Sequence, residues 1–114
     1  MESILTSIKK MLGITEDYTY FDNDIIMHIN SVLMTLNQLG VGPDEPAFIT
    51  SEMDTWEKVF GDRKDIEAVK TYIYIKVRIV FDPPTSSFVL EAMSRTASEL
   101  EWRLNVQAET NKEG

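Results

Sequence analysis

Apolar positions along this chain recur at helical spacing. Ile4, Leu5, Ile8, Met11 and Leu12 share one face of a short helix predicted over residues 2–12, and Gly13 suits the left-handed position just past its end. Ile25, Ile29, Val32, Leu36 and Leu39, joined by Ile26 and Leu33, predict a second helix over 22–39. Asp22 is its expected N-cap, Asp24 lies in its first turn, and Gly40 stops it. Its polar side holds His28, Asn30, Ser31, Thr35, Asn37 and Gln38.

The longest apolar-rich stretch runs from Asp65 to Phe81 and ends at Asp82-Pro83-Pro84. Ile73, Ile75, Val77, Ile79 and Phe81 alternate with Tyr74, Lys76, Arg78 and Val80, as in a half-buried strand, and the β-branched content points the same way. A helix accounts for more of the pattern. At about 100° per residue, Ile66, Val69, Ile73, Val77 and Val80 form one stripe. Ala68, Tyr72, Ile75 and Ile79 form a second, and Glu67, Thr71, Tyr74 and Arg78 gather on the remaining polar face. Length decides for a helix over 63–81, because strands usually run about 5–6 residues. Asp62 or Asp65 can start it, and Pro83 ends it by lacking an N–H and disfavouring α conformation at Asp82. A helix apolar on two sides is expected to be buried on both. It is either the centre of a small bundle, or it packs its own core with one stripe and a second subunit with the other. On the second reading Tyr72, Ile75 and Ile79 are interface residues, and Lys76, between the stripes, either snorkels or pairs across the contact.

Residues 41–60 differ in character. Gly42-Pro-Asp-Glu-Pro46 is loop composition, Ala47–Thr50 suits a short extended piece, and Met53–Phe60 suits one or two helical turns. A connection this long in a compact domain is usually functional or mobile. Trp56 and Phe60 are expected to fold back as a satellite core cluster, with Phe48 and Trp56 as contacts if the segment faces a partner. A last helix is predicted over 87–105, with Val89, Met93, Thr96 or Ala97, Leu100 and Leu104 on its core face and Phe88, Ala92 and Trp102 broadening it. Trp102 is a further candidate contact. Glu91–Arg95 and Glu99–Arg103 are i,i+4 pairs on the exposed side. From Gln107 the pattern lapses, so 107–114 is expected to be a flexible tail after one domain spanning 1–106. The fold class is therefore all-α: a small bundle of four main helices with a long, partly extended loop.

Composition narrows the function. The 114 residues are 43% hydrophobic and suffice for one domain with a real core. No stretch is long and apolar enough to span a bilayer, and the N-terminal charges follow the apolar residues, unlike a secretory signal. The absence of cysteine excludes disulfides and thiolate metal sites. A net charge of −8 argues against gripping the outside of DNA. An acidic wall that surrounds a duplex and lets it slide is compatible with that charge.

Signals for catalysis are weak: one histidine, no phosphate-binding glycine loop and no nucleophile elbow. Asp24 and His28 are four apart and could share a metal, but a third ligand at useful spacing is missing unless Asp22 or a neighbouring chain supplies it, and an exposed His beside an N-terminal carboxylate is the commoner arrangement. Neither an enzyme nor a cofactor is expected.

The succession Ser7-Ile-Lys-Lys-Met-Leu-Gly13, Phe21-Asp-Asn-Asp-Ile-Ile-Met-His-Ile-Asn30 and Leu36-Asn-Gln-Leu-Gly-Val-Gly42 resembles the head–tail connector proteins of tailed bacteriophages. The stretch Gly61–Arg78 and the run Phe81-Asp-Pro-Pro-Thr-Ser-Ser87 are also in keeping. The resemblance covers Ile4 to Val106 and rests on order and spacing. It implies a structural helical subunit that forms a ring, typically dodecameric, beneath the portal. Such a ring extends the DNA channel, docks the next stopper or tail-completion protein, and has no catalysis, cofactor or membrane. Its place is the virion head–tail junction, reached from the host cytoplasm during assembly. A small acidic helical interaction module or regulator without a virion role is the alternative.

Overall fold

The computed structural model describes residues 2–113, with side chains described through Thr110. Five helices follow in order: α1 (Ile4–Met11), α2 (Asp22–Gln38), α3 (Trp56–Phe60), α4 (Ile66–Phe81) and α5 (Ser87–Glu113). No strand occurs among the described residues; one isolated bridge joins Ser3 to Thr55. The all-α reading therefore holds, and the alternating pattern over 73–81 belongs to a helix.

Helix α4 is the middle of the molecule. It packs against α2 and α1 on one flank and α5 on another, while α2 and α5 scarcely meet. Val69, Ile73 and Val77 of the first stripe are buried, and so are Tyr72 and Ile75 of the second. The Tyr72 hydroxyl donates to Glu101 Oε2 of α5 at 2.8 Å, which shows that the second stripe faces α5. Both apolar flanks are thus covered within a single chain. The alternative in which the second stripe meets a second subunit is corrected here for Tyr72 and Ile75, because α5 of the same chain covers them. At about 1.5 Å per residue, a 27-residue helix reaches roughly 40 Å, enough to cover the whole of α4.

That length is the largest departure from the predicted elements. Residues 107–113 continue α5 instead of forming an unpatterned tail, and Ala108 joins Ala97 and Leu104 in the core. These three small or branched residues sit at helical spacing, which the polar residues around Ala108 disguise. Residue 114, also part of the expected tail, lies outside the described residues.

The ends of the helices are set by local chemistry. Ser3 caps α1, its hydroxyl accepting from Thr6 N at 3.2 Å. After α1 and α2 the chain turns through Gly13 (φ 83°) and Gly40 (φ 82°), where side chains are strained. The next amides close the ends: Ile14 N donates to Lys9 O at 2.8 Å and Val41 N to Leu36 O at 2.9 Å. Asp22 does not cap α2 as expected; Phe21 holds that position without a side-chain bond. The Asp22 carboxylate instead meets the buried Lys9 ammonium at 2.8 Å, which also donates to Glu16 O at 3.0 Å. Asp65 likewise precedes α4 without capping it, because its carboxylate is taken by Arg63.

A charge placed on the second stripe of α4 tests this packing. Ile75→Asp puts an unpaired carboxylate in the core and is expected to abolish the cooperative thermal transition, a loss of several kcal/mol. Val80→Asp, on the exposed end of the same helix, should leave Tm within about 4 °C. A folded Ile75→Asp monomer would show that α5 does not seal that flank.

Candidate interaction surfaces

The long connection between α2 and α3 is held by side chains acting in place of a sheet. Asn30 of α2 reaches Ile49 twice: its Oδ1 accepts from Ile49 N at 2.7 Å and its Nδ2 donates to Ile49 O at 3.0 Å. This copies the two-bond exchange of a strand pair and buries Ile49. Further on, Asp54 Oδ2 accepts from Thr50 N at 2.8 Å, and Asp54 Oδ1 meets Lys58 Nζ at 3.0 Å. The Thr50 amide, helped by Lys58, holds the Asp54 carboxyl below its ordinary value against a desolvation that pushes the other way. Ile4 N donates to Asp54 O at 3.0 Å and Trp56 N to Glu2 O at 3.2 Å, which ties the segment to the start of α1.

Trp56 is buried, donating from Nε1 to Ser7 Oγ at 2.9 Å, while Ser7 donates on to Ser3 O at 2.7 Å. Phe60 stacks beside it at 6.2 Å, and Lys70 Nζ lies 5.5 Å from the indole centroid. Trp56 and Phe60 therefore fold back as expected, but onto the main core and not as a satellite, and Trp56 is not a surface contact. Clamped in this way, the loop presents Phe48 (55% exposed) and Met53 outward.

The other predicted contact residues separate cleanly. Tyr72 and Ile75 are core, and burial followed by the Glu101 carboxylate pushes the Tyr72 hydroxyl upward. Lys76 and Ile79 are half-buried. Trp102 is 67% exposed. It lies with Phe88, Ala92 and Val106 on the outer side of α5, opposite Ala97 and Leu104, so Phe88, Ala92 and Trp102 do not broaden the core face as expected. Arg95 and Glu99 occupy the middle of this outer face. Each is paired along the helix, Glu91–Arg95 at 3.3 Å and Glu99–Arg103 at 2.6 Å.

Sequence reasoning missed a second bare face, on α2. Its exposed residues Met27 (61% exposed), Ser31, Met34 and Gln38 recur at helical spacing. The signal was present in the sequence as an absence: from Ile25 to Pro43 there is no Asp, Glu, Lys or Arg. Exposed helix faces normally carry charge. The aromatics of the 14–21 connection form a corner at one end of α4. Tyr20 meets Phe21 edge-on at 4.9 Å, and Phe21 meets Phe81 at 5.3 Å. His28 lies 6.3 Å from Phe81. Among the described residues no three His, Cys, Asp or Glu side chains gather as metal ligands, and no helix is long and apolar enough to cross a membrane.

Fold and surface together define a small all-α protein whose most distinctive exposed features are apolar helix faces and a clamped loop. A family model described as phage connector protein matches residues 4–111, leaving three residues unmatched at each end. The chain belongs to the phage connector protein family, a family of phage structural connectors. No curated protein and no solved structure matches it.

The Asp54 clamp gives a pH signature. Because its folded-state pKa is lowered, its stabilisation is present above the ordinary value of 3.8 and is lost as pH falls through the folded value. Asp54→Ala should cost about 1–2 kcal/mol at pH 7. The gap between wild type and variant, read by denaturant titration, should narrow steadily below about pH 4. A gap that stays constant down to pH 2 would mean that the charge of Asp54 contributes nothing.

Proposed function

We propose that the protein is a ring-forming head–tail connector subunit. It sits beneath the portal of a filled capsid, extends the DNA channel, and offers its far surface to a stopper or tail-completion protein. The observation that carries this reading is the family match across residues 4–111. The physical features support it. A net charge of −8 suits a channel wall that repels phosphates and lets a duplex slide without sequence-specific grip. The clamped loop carrying Phe48 and the outer side of α5 carrying Trp102 present apolar side chains of the kind that anchor protein contacts. Lys76 and Ile79 keep enough exposed surface to contribute at the edge of such a contact.

In this role the protein has no catalytic step and no cofactor; its work is done by shape and by contact. A dodecameric ring, matched to the portal, assembles from subunits in the host cytoplasm and ends at the virion head–tail junction. Subunits that associate only weakly in solution gather when the portal supplies a template, since a second contact made on a common scaffold profits from a high effective concentration.

Interrupting the gene in the phage tests the assignment. The expected phenotype is capsids that package DNA but yield no tailed, infectious particles, together with co-sedimentation of the purified protein with portal rings. Normal tailed virions from the interrupted phage would overturn the reading.

A further inference from the structure

Residues 46–50 belong to no helix or turn, yet they carry the marks of a strand with one edge taken and the other open. Exposure alternates along them: Ala47 is half-buried, Phe48 exposed, Ile49 buried and Thr50 exposed. Both backbone groups of Ile49 point to one side, where Asn30 bonds them at 2.7 and 3.0 Å. Adjacent residues of an extended chain turn their N–H and C=O to opposite sides, so those of Phe48 face away from α2. Among the described residues, nothing bonds the N–H or C=O of Phe48, or the carbonyls of Pro46 and Thr50. Asp54 takes the Thr50 N–H, and Pro46 has no N–H, which suits the first residue of an edge strand. The Asn30 and Asp54 clamps fix this edge before anything binds, which lowers the ordering cost of a contact.

The charge around the edge selects what can lie against it. Asp44, Glu45 and Glu52 flank it in sequence and are exposed. No Lys or Arg occurs between Lys10 and Lys58, and Lys58 is held by Asp54 at 3.0 Å. Two copies pairing edge to edge, antiparallel about Phe48, would bring Asp44 and Glu45 of one toward Glu52 of the other, and like charges across a strand pair are destabilising. We infer that the open edge of residues 46–50 takes an extended, basic peptide segment of another protein as an added strand. The backbone groups of Phe48 and the Pro46 and Thr50 carbonyls bond the segment's main chain, and the exposed Phe48 ring covers one of its apolar side chains. Lys or Arg residues at either end of the segment meet the flanking carboxylates. The edge is short, so the contact is weak alone and serves a partner that is also held elsewhere. This deepens the connector reading and rests on it for a partner in the virion; the edge itself needs no phage component to be tested.

The probe is a blocked peptide of alternating Lys and Val, about ten residues long, titrated into the full chain to about 2 mM and followed by backbone amide NMR. The expected result is saturable binding with shifts centred on residues 46–50, and exchange of the Phe48 amide slowed at least about fivefold at saturation. The same peptide N-methylated at its two central residues, which removes a donor from each of its edges, should bind at least about tenfold more weakly. A peptide of alternating Glu and Val should not bind. Phe48→Pro, with wild-type circular dichroism, removes the central N–H and should abolish binding, while Phe48→Ala keeps that N–H and should retain weakened binding. The inference is overturned by an absence of saturable shifts, by equal binding of the N-methylated or the acidic peptide, or by a Phe48 amide that exchanges as fast when bound as when free. Protection of that amide in concentrated protein without peptide would also overturn it, by making a second copy the occupant. Any of these failures leaves the connector reading to the phenotype of the interrupted phage, which does not depend on this edge.

Discussion

Everything in this fold depends on covering α4 on two flanks. Its sixteen residues include eleven Ile, Val, Tyr, Phe and Ala side chains, nine of them arranged in two stripes. Burying an aliphatic or aromatic side chain contributes roughly 1.5–3 kcal/mol relative to exposure, so neither flank can be left in water cheaply. One flank takes α1 and α2; the other takes α5, with the Tyr72–Glu101 hydrogen bond setting the register. The remaining polar face, where Arg78 donates to the Tyr74 hydroxyl at 2.9 Å, is what keeps the helix from being enclosed all round. Once α4 is enclosed on its two apolar flanks, the backs of α2 and α5 face outward.

The second theme is that polar side chains stand in for secondary structure. Between α2 and α3 the chain has no regular element, yet Ile49 and Val41 are buried. Asn30 satisfies both backbone groups of Ile49, and Asp54 gathers the turn before α3. Asn105 of α5 donates to Leu39 O at 3.2 Å, meeting a carbonyl left open at the end of α2 and joining the two outer helices at one point. The buried Lys9–Asp22 pair does the same between α1 and α2. These contacts hold the loop as a fixed relief from which Phe48 projects, which suits a surface that must be recognised in one shape.

Periodicity made the helices legible because it reports a physical requirement, one apolar face per buried side. The starts of α2 and α5 and the end of α4 fell at the predicted positions 22, 87 and 81, although Phe21 and not Asp22 takes the capping position of α2. Three things were not legible, each for a physical reason. The last turns of α5 carry a single buried Ala108 amid polar residues, so their hydrophobic signal is too faint for a window to catch. The roles of Asp22 and Asn30 depend on partners far away in sequence, and local capping rules assign such residues to the nearest helix end. The free faces could not be placed until α5 was known to cover Tyr72 and Ile75, because a stripe looks the same whether its cover comes from the same chain or another. The uncharged outer face of α2 was readable in principle, from charges missing where a solvated helix carries them.

The most direct test of the double cover is hydrogen exchange on dilute, monomeric protein, resolved to individual amides of α4. If α2 and α5 of the same chain seal both flanks, amides from Val69 to Val77 are already the slowest to exchange in the dilute monomer, at the rate set by global unfolding. Fast exchange across this stretch in the monomer, slowed only on assembly, would show that a neighbouring subunit provides the cover and would contradict the account.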